Sequence, residues 1–179
     1  MSILKVARMG HPVLRERARR VEASTIATAE FQRLIDDMFE TMDAHDGIGL
    51  AAPQVHHGVR LMLVGIDEAR QGSASDRASV PVMALINPKI TTVGRETGED
   101  WEGCLSVPGL RGRVRRPNDV RLVALDRNAS RVEMTLHGYP ARVVQHEADH
   151  LDGVLFVDRM ESLGTLTFLE EYAKYWARD

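Results

Sequence analysis

The chain has 179 residues, 23 basic and 26 acidic, for a net charge of −3 and an isoelectric point near 6.2. That length supports one domain with a full hydrophobic core, and the near balance of charge argues against a general nucleic-acid binder, which would be clearly basic. No apolar run approaches a membrane span and no signal peptide opens the chain, so a cytoplasmic protein with neither DNA nor membrane as partner is expected.

The first twenty residues are rich in arginine. Residues 3–6 (Ile-Leu-Lys-Val) nevertheless read as folded structure, and Pro12 interrupts any amphipathic transit helix. Phe31, Leu34, Ile35, Met38, Phe39 and Met42 fall at helical spacing, predicting an amphipathic helix over 28–44 with its methionines in the core. His45-Asp46-Gly47 ends it. Gly47-Ile48-Gly49-Leu50-Ala51-Ala52-Pro53-Gln54 follows, a loop whose backbone can approach another group closely. It is not a phosphate-binding turn: the third glycine of a dinucleotide site and a Gly-Lys-Ser/Thr are both missing. Residues 59–66 predict a strand, 67–81 a surface loop, and 82–86 and 90–93 short strands broken at Asn87-Pro88. A hairpin is expected from 120–125 and 132–136, then a helix carrying His146 and His150, then a short extended run over 154–157. Phe168, Leu169, Tyr172, Tyr175 and Trp176 form a last helical stripe, expected to pack into the core, with Ser162 as its start signal. Three helices and several short, mostly antiparallel strands in separated blocks point to a single-domain α+β fold spanning 1–179.

The strongest chemical signal is Gln145-His146-Glu147-Ala148-Asp149-His150. Two histidines four apart share one helix face and can meet on one divalent metal, with Glu147 beside it to handle a proton of water. Pro140 suits the first turn of that helix and Gly153 its close. A catalytic ion of this kind needs a third protein ligand. A later histidine is excluded, because Phe156 occupies its place. Glu161, Glu170 and Glu171 remain as candidates, which would make a metallopeptidase. Cys104, the lone cysteine, in Glu102-Gly103-Cys104-Leu105-Ser106, is the stronger candidate, since a thiolate binds zinc or ferrous iron well.

Together, the stretches at 47–54, 102–106 and 145–150 resemble, in order, the three signature stretches of the peptide deformylase family, and the likeness runs from residue 3 to about residue 158. On that likeness no cleaved leader is expected. The resemblance implies Cys104, His146 and His150 as metal ligands, ferrous iron as the usual ion with zinc, nickel or cobalt as substitutes, and Glu147 as the proton carrier. It implies Gln54 and the backbone N–H of Leu105 as oxyanion donors. The substrate would be the formyl-methionine end of a nascent polypeptide, extended along Gly47, Ile48 and Gly49, its side chain among Ile48, Tyr139, Arg142 and Val143. The Arg142 guanidinium is expected to reach water. Glu102, Arg111, Gln145 and Asp149 would orient the ligands. The basic runs at 15–20 and 111–116 read as solvated faces, with a weak ribosome contact as a further option. Docking through the C-terminal helix is disfavoured by Glu161, Glu170 and Glu171. A silent relative that only binds N-terminal peptides is the other class of reading, and an intact Glu147 speaks against it.

Overall fold

The computed structural model of the chain describes residues 2–66 and 80–177. An irregular N-terminal segment runs through a 3-10 turn at Pro12–Arg15 and one helical turn, α1 (Ala23–Ile26), into α2 (Ala29–Ala44). Thr28 caps α2 by accepting the Phe31 N–H at 3.3 Å. Phe31, Ile35, Met38 and Met42 then bury one stripe. Each such side chain contributes about 1.5–3 kcal/mol by leaving water.

That stripe packs on one face of an antiparallel sheet ordered β1 (Gly49–Ala51), β2 (Leu61–Ile66), β3 (Val80–Cys104), β4 (Val107–Leu125), β5 (Arg131–His137). All six residues of β2 are buried, because the sheet is covered on both faces. Leu61 and Leu63 meet the α2 stripe. Met62, Val64 and Ile66 meet Ala141, Val143, Val144 and Leu151 of α3 (Gly138–Leu151). α3 forms where expected: His137 is extended at its start and Gly153 closes it at φ 75°. An alanine there would also press its Cβ to 2.7 Å from the Arg15 carbonyl. Beyond it lie α4 (Phe156–Arg159), β6 (Thr167–Phe168) paired to β4, and α5 (Leu169–Tyr175). No helix among the described residues is long and apolar enough to cross a membrane.

Several expectations need correction. The strands are not all short: β3 has 25 residues and β4 has 19. The runs at 82–86 and 90–93 belong to one strand, in which Asn87 takes φ 53° and the register shifts; its side chain instead grips Val21 at 2.9 Å and 2.8 Å. The 47–54 loop contains β1 and a 3-10 turn, Ala52–Val55. Residues 3–6 adopt neither helix nor strand and are tied by the Leu4 N–H to Thr41. Residues 154–157 are not an extended run, because the Asp158 carboxylate accepts the Leu155 N–H at 2.7 Å and starts α4. Ser162 caps the turn Leu163–Thr165 rather than α5. The last aromatic stripe is not core, with Phe168 63 % and Tyr175 60 % exposed. Of the expected loop at 67–81, residues 67–79 lie outside the described residues, and Val80 and Pro81 already belong to β3.

Candidate metal centre

Two separate elements deliver the donors. β3 and β4 form a ribbon with Cys104 at its turn, and α3 carries His146 and His150 one helical turn apart. One ligand atom from each of these three residues lies within 4.8 Å of the others. The thiol sulfur sits 3.2 Å from His150 Nε2. His146 turns Nδ1 to Glu102 Oε2 at 2.8 Å, which leaves its Nε2 for the centre. One sulfur and two imidazoles with a carboxylate behind one ring is a donor set that fits a divalent cation. Charge distribution agrees. Burial pushes the Cys104 thiol up, yet the facing His150 and the hydrogen bonds from both rings hold it well below the ordinary thiol range. Burial pushes His146 down, yet its hydrogen bonds to Cys104 and Glu102 hold it well above the ordinary value. A cation between them would displace these protons.

Glu147 lies beside the donors, 5 % exposed, with Oε2 lacking any hydrogen-bond partner. Burial lifts its pKa to about 7 against the pull of both histidines. Gln54 is held by the Ala51 N–H, which donates to its Oε1 at 2.8 Å. That bond fixes which way the amide points: Nε2 faces Cys104 Sγ at 3.5 Å and Ser106 Oγ at 3.3 Å. The N-terminal segment ties down the 47–54 and 102–106 stretches, through Ala7 N–H to the Gln54 carbonyl and Met9 N–H to the Ser106 carbonyl, each 2.7 Å.

Above the donors opens a cleft of about 1310 Å³, lined by Gly47, Ile48, Gly49, Leu105, Arg111, Tyr139, Arg142 and Val143 among others. Arg142 does not reach water. It is 7 % exposed and bonds to Glu102, to the Val114 carbonyl and to the Gly98 carbonyl at 2.7–2.8 Å, because the ribbon closes over the helix there. Asp149 is buried, paired with Arg116 at 2.8 Å and Arg159 at 2.6 Å. Gln145 faces away, donating to the Pro117 and Ala141 carbonyls. Arg111 stacks 5.0 Å over Tyr172. The downstream glutamates do not converge on the centre: Glu161 pairs with Arg115 at the surface, and Glu170 and Glu171 are exposed on α5.

Arg116 escaped the sequence reading, which took its run as a solvated face. It is 5 % exposed and joins Glu102, at 2.6 and 2.9 Å, to Asp149. The signal was strand alternation: Gly112, Val114 and Arg116 point inward together, while Arg115 faces out. Burial would raise the Glu102 pKa, but hydrogen bonds from Arg116 and His146 and their charges drive it far below the ordinary carboxylate range.

Residues 3–165 match the polypeptide deformylase family. A peptide deformylase of Leptospira biflexa is 42 % identical over 171 residues, 96 % of this chain and 95 % of that protein. Among solved structures, the Met-Ala-Ser-bound class I type b peptide deformylase of Acinetobacter baumannii gives a TM-score of 0.81 at 37 % identity, covering 89 % of this chain and 100 % of that one. The Synechococcus elongatus peptide deformylase in complex with actinonin gives 0.78 at 38 %, covering 90 % and 81 %. With the family matched from residue 3 to residue 165, this chain belongs to the peptide deformylases.

Proposed function

We infer that this chain, as one catalytic domain, removes the formyl group from the N-terminal formyl-methionine of new polypeptides, releasing formate and a free α-amine. The convergence of Cys104, His146 and His150 beside Glu147 carries this reading. These three would hold one divalent ion, ferrous iron first and zinc, nickel or cobalt as substitutes, on the helix that bears the His-Glu-x-x-His pattern. Bound there, such an ion supplies Lewis acidity toward water and carbonyl oxygen.

Glu147 takes a proton from the water that attacks the formyl carbon, and returns it to the nitrogen as the C–N bond breaks. A carboxylate with a pKa of about 7 can both accept and donate at neutral pH. The charge that builds on the formyl oxygen is met by Gln54 Nε2 and the Leu105 main-chain N–H. β1 is the edge strand of the sheet, so an extended peptide can add along Gly47, Ile48 and Gly49. The methionine side chain then enters the space among Ile48, Tyr139 and Val143. That the Acinetobacter relative binds Met-Ala-Ser supports a peptide beginning with methionine as the occupant.

Nascent chains in the cytoplasm are the expected partners. Within the basic runs Arg116 is engaged internally with Glu102, while Arg15 and Arg17 pair with Asp158 and Asp152 at the surface, so a weak ribosome contact through the exposed arginines is a further option. Formate release from formyl-Met-Ala-Ser, by protein purified anaerobically with ferrous iron, tests the reading. Turnover that disappears in Glu147→Gln with metal retained supports it. A metal-loaded enzyme that binds the peptide and releases no formate leaves a peptide-binding protein instead.

A further inference from the structure

Arg142 and His146 stand four residues apart on α3, so they project from the same face of the helix. Both bond the same carboxylate. Arg142 Nη1 donates to Glu102 Oε1 at 2.7 Å, and Glu102 Oε2 faces His146 Nδ1 at 2.8 Å. Arg116 closes the remaining sides, Nε to Oε1 at 2.6 Å and Nη2 to Oε2 at 2.9 Å. Glu102 lies two residues before Cys104 on β3. One carboxylate therefore ties the helix bearing both imidazoles to the ribbon bearing the sulfur, at two points one helical turn apart. Arg142 reaches further, to the Val114 carbonyl on β4 and the Gly98 carbonyl on β3, each at 2.8 Å. With the His146 bond alone, the helix could still roll about that contact. With Arg142 in place, roll and axial slide are both opposed, and burial of all three side chains keeps water from competing.

We propose that Arg142 is a positioning residue: through Glu102 it sets the roll of α3 against the β3–β4 ribbon, and so the spacing between the Cys104 thiolate and the two imidazoles. The proposal rests on reading those three side chains as metal ligands. Arg142 itself lies on the cleft wall and bonds none of the three, so its effect on them runs through the carboxylate.

The test uses the full chain loaded with cobalt(II), whose thiolate charge-transfer band reports the sulfur–metal geometry. Arg142→Met, Arg142→Lys, Glu102→Gln and the double variant Arg142→Met/Glu102→Gln are compared. Arg142→Met should release cobalt to a chelator about 10–100-fold faster and shift the band. It should lower kcat on formyl-Met-Ala-Ser more than it raises KM. In the Glu102→Gln background the same substitution should add clearly less than it does alone, because the charged link to the carboxylate is gone and only the Val114 and Gly98 carbonyl bonds remain to lose. Should Arg142→Met fail to fold, Arg142→Lys provides the comparison; it keeps the charge but cannot fork to Glu102, Val114 and Gly98. A raised KM with unchanged cobalt release would make Arg142 a pocket wall only. A lowered thermal midpoint with unchanged release, or equal effects in both backgrounds, would overturn the proposal. If the unsubstituted chain takes up no cobalt, the ligand reading itself falls.

Discussion

Gly49 allows the sharpest test of how tightly the centre is built. A Cβ at that position would lie 2.4 Å from Glu147 Oε1, 2.7 Å from its Cδ and 2.8 Å from its Cγ. Ordinary contact begins at 3.4 Å, so Gly49→Ala requires the carboxyl group to retreat by about 1 Å (3.4 − 2.4). The backbone itself tolerates alanine, since Gly49 is not among the positive-φ residues. The effect is therefore steric and falls on the Glu147 carboxyl group. A displacement of that size costs on the order of 10²-fold in rate, whereas overpacking costs stability only about 1–3 kcal/mol. The assay is kcat for formyl-Met-Ala-Ser on metal-loaded protein, with metal content and thermal midpoint measured alongside. Expected are full metal, a midpoint lowered by a few degrees and a hundredfold loss of turnover. Gly58→Ala is the control, because nothing lies within 4 Å of its Cβ. A Gly49→Ala enzyme with unchanged kcat would refute the reasoning, as would one that lost activity only by losing its metal.

Replacing Gln54 by Ala removes the amide held by the Ala51 N–H and should lower kcat by about 10²–10³; a loss confined to KM would assign Gln54 to binding alone. Arg116→Met leaves Glu102 and Asp149 short of their shared cation and should cost roughly 3–5 kcal/mol in denaturant unfolding. A cost below about 1 kcal/mol would mean Arg142 and Arg159 suffice. Cys104→Ala should abolish retention of zinc or cobalt through dialysis, and retention at full stoichiometry would discard the thiolate as a ligand. Burial would raise the Asp158 pKa, but hydrogen bonds from Arg15 and from the Leu155 N–H hold it below 3.8. A depressed folded-state value gives stability that is present above 3.8 and lost as pH falls below it. Asp158→Asn should therefore flatten the acid limb of a urea midpoint-versus-pH curve, and an unchanged slope would show that the pair is silent.

α2 and α3 were legible because apolar spacing and end signals agreed: His45-Asp46-Gly47 after α2, Pro140 and Gly153 around α3. The convergence of Cys104, His146 and His150 was partly legible: the histidines four apart marked themselves, while Cys104 had still to compete with the downstream glutamates. What hid was the long ribbon. From Gly94 to Glu99 no apolar residue alternates with polar ones; these positions are mostly exposed, with 94–96 at a register shift and 97–99 held as strand by pairing with β4. Without that strand, Arg116 could not be told apart from its exposed neighbours. The C-terminal stripe failed differently. Spacing says which residues share a face, but not whether anything covers it; here Trp101 and Tyr172 meet edge to face at 5.1 Å, and Phe168 and Tyr175 stay outside.

Cys104 rides on the turn of the ribbon and both rings ride on α3. An ion shared by them would thus cross-link positions 42 residues apart, 104 and 146, acting as a removable staple rather than an ornament on a finished scaffold. Stripping it with a chelator should loosen two distant stretches at once, with amide exchange quickening at the ribbon's turn and at the last turn of α3 in step. Exchange that quickened at one and not the other would mean each piece is anchored independently.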